Sequence, residues 1–154
     1  MATTIYFSGA ISGGRADLPL YQRIVETLEA EGHRVLAGAV AAEHVGAGGE
    51  SAGCETLHPP DICARDLGWL DQADLVVAEV SVPSLGVGYE IAYATRVRRI
   101  PVIALYRRAW TQRCSAMISG DPGVQLLEYE HAAAMLPELL ESIRRLRRYP
   151  DRFP

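Results

Sequence analysis

This sequence predicts an α/β architecture of five parallel strands with helices on both faces of the sheet, and three observations carry that prediction. Short apolar runs alternate with longer segments whose apolar positions recur at three- and four-residue spacing. Gly, Pro and Ser mark the junctions, at residues 9–16, at Gly32 and at residues 83–88. The chain has 154 residues, 49% hydrophobic and 22% charged, with no shift in composition and no linker-like tract, so residues 1–154 are expected to form a single domain with one complete core.

The elements follow in order. Residues 4–8, Thr-Ile-Tyr-Phe-Ser, read as the first strand, and a glycine-rich loop at 9–16 leads to a helix over about 18–32. Leu20, Ile24 and Leu28 share one face of that helix, and Gly32 stops it. The second strand spans 34–37. Residues 38–57, rich in Gly, Ala and Glu without a firm period, are expected to be a mobile loop when no ligand is bound. Pro59 and Pro60 open a helix, since Pro suits a first helical turn, and Ile62, Leu67 and Leu70 supply its inner face. An apolar run at 75–80 is the third strand, followed by a Pro/Ser/Gly loop and a helix over about 88–98. Residues 101–106 and 124–129 are the fourth and fifth strands, with a short segment at 115–118 between them, and the final helix covers about 131–147. Strands alternating with helices imply a parallel sheet in a Rossmann-like or flavodoxin-like order, because each crossover buries its helix against the sheet.

Composition narrows the function. A net charge of -4 provides no general attraction to nucleic acid or to anionic membrane. The basic run Arg144-Arg145-Leu146-Arg147-Arg148 reads as a solvated helix end that complements the helix dipole. No apolar run approaches bilayer-spanning length, and Met1-Ala2-Thr3-Thr4 lacks the basic segment of a secretory signal, so a cytoplasmic location is expected. Cys54, Cys63 and Cys114 are odd in number and lack C-x-x-C spacing, which disfavours a disulfide framework or a zinc site. His33, His44, His58 and His131 have neither metal-ligand spacing nor a paired nucleophile and are read as structural or surface residues, so no metal is expected.

The most informative stretch is Ala78-Glu79-Val80-Ser81-Val82-Pro83-Ser84-Leu85-Gly86-Val87-Gly88-Tyr89-Glu90, where a buried strand empties into a loop and then a helix with an early glutamate. Open α/β sheets bind ligands at such junctions, beyond the carboxyl ends of the strands. Asp66 lies on the preceding helix, and an Asp and a Glu converging on a sugar can divide the labour between anomeric carbon and proton transfer. The alternatives are a first-turn carboxylate serving the helix dipole for Glu90 and solvated surface for Asp66. Tyr6 is either a core ring or a hydroxyl donor to the site, and Ser84 and Ser115 are either turn-makers or ligand-binding hydroxyls. The first loop, Gly9-Ala10-Ile11-Ser12-Gly13-Gly14-Arg15, serves tight-turn geometry or brings backbone N–H groups to an anion, and it matches neither G-x-G-x-x-G nor the phosphate-loop pattern.

Taken together, Ile5-Tyr6-Phe7-Ser8-Gly9-Ala10-Ile11-Ser12-Gly13-Gly14-Arg15, Asp66-Leu67-Gly68-Trp69-Leu70-Asp71-Gln72-Ala73-Asp74, Val77-Ala78-Glu79-Val80, Pro83-Ser84-Leu85-Gly86-Val87-Gly88-Tyr89-Glu90 and Ser115-Ala116-Met117-Ile118 resemble the 2'-deoxynucleoside 5'-monophosphate N-glycosidases, a branch of the nucleoside 2-deoxyribosyltransferase superfamily. The resemblance implies a Rossmann-like homodimer, acting without a cofactor, that hydrolyses the N-glycosidic bond of a small-molecule deoxynucleotide to free base and deoxyribose 5-phosphate. It places Glu90 as the nucleophile at C1', Asp66 as the residue assisting base departure and activating water, and Tyr6 as the hydroxyl holding the nucleophile. It assigns the 5'-phosphate to the first loop (Gly9, Ala10, Ile11, Ser12, Gly14 and Arg15), to Ser84 and to the Gly86 and Gly88 backbone, with Ser115 reaching it from the partner subunit and Met117 among the substrate-binding residues. Two positions depart from the family loop Gly-Ser-Ile-Arg-Gly-Gly-Arg: Ala10 stands for its serine and Ser12 for its arginine. Each lost charge-assisted contact costs roughly 1.5–3 kcal/mol of phosphate binding, with Arg15, Ser12 and backbone N–H groups left to compensate. The competing readings are a deoxyribosyltransferase for unphosphorylated deoxynucleosides and a non-catalytic nucleotide-binding module.

Overall fold

The computed structural model describes residues 2–10, 15–37, 58–108 and 113–148. Residues 38–57, expected as a mobile loop, lie outside the described residues, as do Ile11, Ser12 and Gly14 of the first loop.

Five strands form one all-parallel sheet: β1 (Thr4–Gly9), β2 (Arg34–Ala37), β3 (Leu75–Glu79), β4 (Val102–Arg107) and β5 (Val124–Tyr129). Their order is β2-β1-β3-β4-β5, the flavodoxin-like winding, whose reversal point lies between β1 and β3. The helices are α1 (Leu18–Ala30), α2 (Pro59–Leu70), α3 (Leu85–Ala92), the short α4 (Ala116–Ser119) and α5 (Ala132–Arg148). A 3-10 turn, Arg15–Asp17, leads into α1, and α3 continues as a π-helical stretch, Tyr93–Arg98.

Period-two alternation along the strands divides the core between the two faces of the sheet. Ile5, Phe7, Val77, Ile103 and Leu105 pack on one side with Tyr21, Ile24 and Leu28 of α1 and Met135, Leu139 and Ile143 of α5. Tyr6, Val76, Ala78, Val102 and Ala104 pack on the other with Leu70 of α2 and Val87 and Ile91 of α3. Both faces of β3 are therefore buried, which is why its sequence reads as a continuous apolar run. Among the described residues no helix is long and apolar enough to cross a membrane. Cys63 and Cys114 are free thiols, and Arg144 and Arg145 of the basic run are exposed and paired with Glu31 and Glu141.

Several boundaries move by one or two residues, and one moves by three. The helix expected from Gly88 begins at Leu85, because Ser84 in extended conformation accepts the Val87 N–H at 3.4 Å and caps the helix three residues earlier. The last residue of the third strand is Glu79 rather than Val80.

Candidate active site

The earlier helix start changes what the glycines do. Gly86 and Gly88 lie in the first turn of α3, where a Cβ on Gly88 meets nothing within 4 Å and one on Gly86 meets only Ser84 Oγ at 3.8 Å. Among the described residues packing requires neither glycine, which leaves room for a ligand to approach the backbone of this turn. Glu90 is the sixth residue of α3, and no acidic residue occupies the first turn, so a simple dipole-complementing role does not account for it.

Glu90 projects instead onto the carboxyl end of β1. The Tyr6 hydroxyl donates to Oε1 at 3.1 Å, and the Ser8 hydroxyl donates to Oε2. Tyr6 and Ser8 are two residues apart on one strand, so their side chains share a face, and both are buried. Tyr6 is thus a core ring and a hydroxyl donor at once. Burial pushes the Glu90 carboxyl above its ordinary 4.5; the Ser8 and Tyr6 hydrogen bonds oppose this, and the charge of Asp66 adds to the rise. The Tyr6 phenol is pushed far up, first by burial and then by the charges of Glu90 and Asp66, which keeps it a protonated donor.

Asp66 stands in the middle of α2, close enough to influence both Tyr6 and Glu90 electrostatically. Arg65 Nε and Nη2 both bond Asp66 Oδ1 at 2.9 Å, and the Arg65 guanidinium lies 4.8 Å from the Trp69 ring centre. Among the described residues Oδ2 carries no hydrogen bond. Asp66 is half-buried rather than a solvated surface carboxylate. The structure therefore brings Tyr6, Asp66 and Glu90 into one electrostatic cluster at the β1/β3 reversal point.

Ser8 is the member that sequence reasoning missed. The signal was present: Tyr6 and Ser8 are the i and i+2 positions at the end of one strand, so a site facing Tyr6 faces Ser8 as well.

Beside the α3 N-terminus runs a cleft of about 790 Å³ lined by Ser84, Gly88, Arg96, Arg113, Ser115 and Met117. Ser115 is exposed and makes no side-chain cap bond to α4, so its hydroxyl is not consumed locally. Leu85, Tyr89 and Met117 are 96%, 60% and 84% exposed, an apolar group beside the cleft. Gly9 has a packing cause: a Cβ there falls 2.9 Å from the Tyr21 ring. The Tyr21 hydroxyl donates to Ala10 O at 3.3 Å, fixing the start of the first loop, while Arg15 opens the 3-10 turn at its other end. Among the described residues no group of three or more His, Cys, Asp or Glu is placed to hold a metal ion.

The sequence profile described as Nucleoside 2-deoxyribosyltransferase matches residues 5–126. A protein of Syntrophotalea carbinolica with the provisional name 2'-deoxynucleoside 5'-phosphate N-hydrolase 1 is 38% identical over 139 residues, 90% of this chain and 93% of that protein. The 5-hydroxymethyl-dUMP N-hydrolase of Rattus norvegicus is 44% identical over 139 residues, 90% of this chain and 82% of that protein. Among solved structures, the CMP N-glycosidase of Clostridium botulinum shares the fold with a TM-score of 0.63 at 18% identity, covering 90% of this chain and 98% of that one. The profile covers both the strand that carries Tyr6 and Ser8 and the helix that carries Glu90, and this chain belongs to the nucleoside 2-deoxyribosyltransferase family.

Proposed function

We propose that this protein is an N-glycosidase that hydrolyses 2'-deoxynucleoside 5'-monophosphates to free base and 2-deoxyribose 5-phosphate. The observation that carries the reading is Glu90, a carboxylate withdrawn from bulk water with one hydroxyl on each oxygen and a second carboxylate, Asp66, nearby. The names of the relatives, which are N-hydrolases of deoxynucleotides, support it.

Glu90 attacks C1' as the bond to the base breaks, forming a glycosyl ester; Tyr6 and Ser8 hold the attacking carboxylate in place. Asp66 serves proton transfer at the departing base. In the second step it takes a proton from the water that attacks C1', releasing Glu90 and the sugar phosphate. The lack of a 2'-hydroxyl on the substrate favours this route, since no electron-withdrawing group opposes positive charge at C1'. Ser84, the Gly86 and Gly88 backbone and the first loop (Gly9, Ala10, Ile11, Ser12, Gly14, Arg15) grip the 5'-phosphate. The α3 N-terminus supplies the Leu85 and Gly86 N–H groups and a favourable dipole, while the Val87 and Gly88 N–H groups bond Ser84.

The functional unit in this reading is a cytoplasmic homodimer in which the partner's Ser115 completes the site and Met117 adds to the substrate-binding surface; the exposed Leu85, Tyr89 and Met117 supply apolar surface for an isologous contact. Product analysis tests the reading on a panel of deoxynucleotides, ribonucleotides and deoxynucleosides that includes 5-hydroxymethyl-dUMP. Base release from deoxynucleotides, lost in Glu90→Ala, is the expected result. The family profile keeps one rival alive, deoxyribosyl transfer, and faster formation of a swapped nucleoside than of free sugar from a deoxynucleoside plus a second base selects it.

A further inference from the structure

We infer that Glu79 is a positioning residue that ties together the two loops of the site through Ser81, Tyr129, Arg107 and Asp17. The inference rests on the nucleotide-binding reading above and adds to it a device on the opposite face of the sheet from Glu90.

Glu79 is the last residue of β3, in register with Gly9 of β1 and Leu105 of β4, and it is 0% exposed. A buried carboxylate in an apolar strand is costly unless it is fully hydrogen-bonded, and Glu79 is. The Ser81 hydroxyl and the Tyr129 hydroxyl both donate to Oε1, the latter at 3.0 Å, and the Ser81 N–H donates to Oε2 at 3.3 Å. Arg107 then donates to both hydroxyl oxygens, from its backbone N–H to Ser81 Oγ at 2.8 Å and from Nε to Tyr129 at 3.3 Å, and its Nη2 bonds Asp17 Oδ1 at 2.6 Å. A backbone N–H and a guanidinium only donate, so both hydroxyls accept from Arg107 and turn their own protons toward Glu79. Each of these three bonds to Glu79 is donated to it, so only a pure acceptor suits that position.

The attachments of the network give it a role. Ser81 opens the loop that ends at the cap residue Ser84 and launches the helix of Glu90. Asp17 closes the far end of the first loop and precedes α1. Tyr21, which feels the charge of Glu79, secures the near end through Ala10 O and by packing against Gly9. Both phosphate-gripping loops thus hang from one carboxylate. Burial raises its affinity for a proton, while the Ser81 and Tyr129 hydrogen bonds and the charge of Arg107 oppose that rise.

Glu79→Gln keeps the shape and replaces one acceptor with a donor. Calorimetry on the full chain, with a deoxynucleoside 5'-monophosphate and the same deoxynucleoside lacking phosphate, is expected to show nucleotide Kd weakened about tenfold, with nucleoside Kd unchanged. An equal loss for both ligands, or none for the nucleotide, overturns the inference. Hydrogen exchange without ligand provides a second measure, with faster exchange expected at both Ala10 and residues 81–84; wild-type exchange at either place overturns the inference. A wild-type protein that binds nucleotide and nucleoside alike defeats the phosphate reading itself, and the exchange data still judge Glu79. If Glu79→Gln does not fold, Tyr129→Phe, which removes one donor and leaves the carboxylate, is expected to show the same phosphate-selective loss at smaller amplitude.

Discussion

Two glutamates at the carboxyl edge of the sheet, one on each face, are each held by one tyrosine and one serine. At Glu79 both hydroxyls converge on a single oxygen, Arg107 feeds them from behind, and no surface is left to solvent. At Glu90 the hydroxyls divide between the two oxygens, neither accepts from a cationic donor among the described residues, and the residue keeps partial exposure beside the open first turn of α3. The donor chemistry is the same and the surroundings differ. A carboxylate closed off by an arginine-fed network is framework, whereas one held in orientation with access to a ligand is equipped to react.

Substitutions that exchange these properties test the contrast. The largest effect is expected at Glu90→Ala: base release falls to the detection limit in a product assay. Asp66→Asn is expected to slow turnover on the order of 10²-fold or more, the contribution of a positioned proton-transfer group, with a smaller effect on nucleotide Kd. Glu79→Ala acts on the other observable. It leaves the Ser81 and Tyr129 hydroxyls without their acceptor and is expected to cost about 3 kcal/mol in denaturant unfolding.

The smallest effect concerns pH. Burial holds the Glu90 carboxyl above 4.5, so the reactive anion is lost as pH falls through a value higher than that of an exposed glutamate. Ser8 lowers that value by donating to the anion, so Ser8→Ala is expected to move the acid limb of kcat/KM further up and to recover part of its lost activity as pH rises. An acid limb identical to wild type removes Ser8 from the assembly.

The fold was readable because each strand is short, apolar and bounded by turn residues, and all five strands stand where the pattern put them. The start of α3 was harder to read, because Gly86 and Gly88 suggest loop and only the Ser84 cap reveals that the helix has begun. The π-helical stretch left no periodic trace distinct from the α-helix before it. At the site, Glu90 and Asp66 were visible as carboxylates near the correct sheet edge, and Tyr6 as an aromatic near the end of a strand. Ser8 and Glu79 were passed over for opposite reasons. One looked like a strand terminus, the other like part of an apolar motif, and their partners lie 82 residues away for Ser8 and 50 away for Tyr129 with Glu79, separations no local pattern encodes.

β1 is paired on both edges, with Ile5 opposite Val35 of one neighbour and Leu75 of the other. Slippage by a single residue against either neighbour exchanges the even-numbered side chains for the odd ones, so Tyr6 and Ser8 turn away from Glu90 together while Ile5 and Phe7 take their places. A misthreaded molecule with nearly the right compactness is chemically silent, and the fraction of a refolded sample that turns over substrate measures how many chains have aligned that strand correctly.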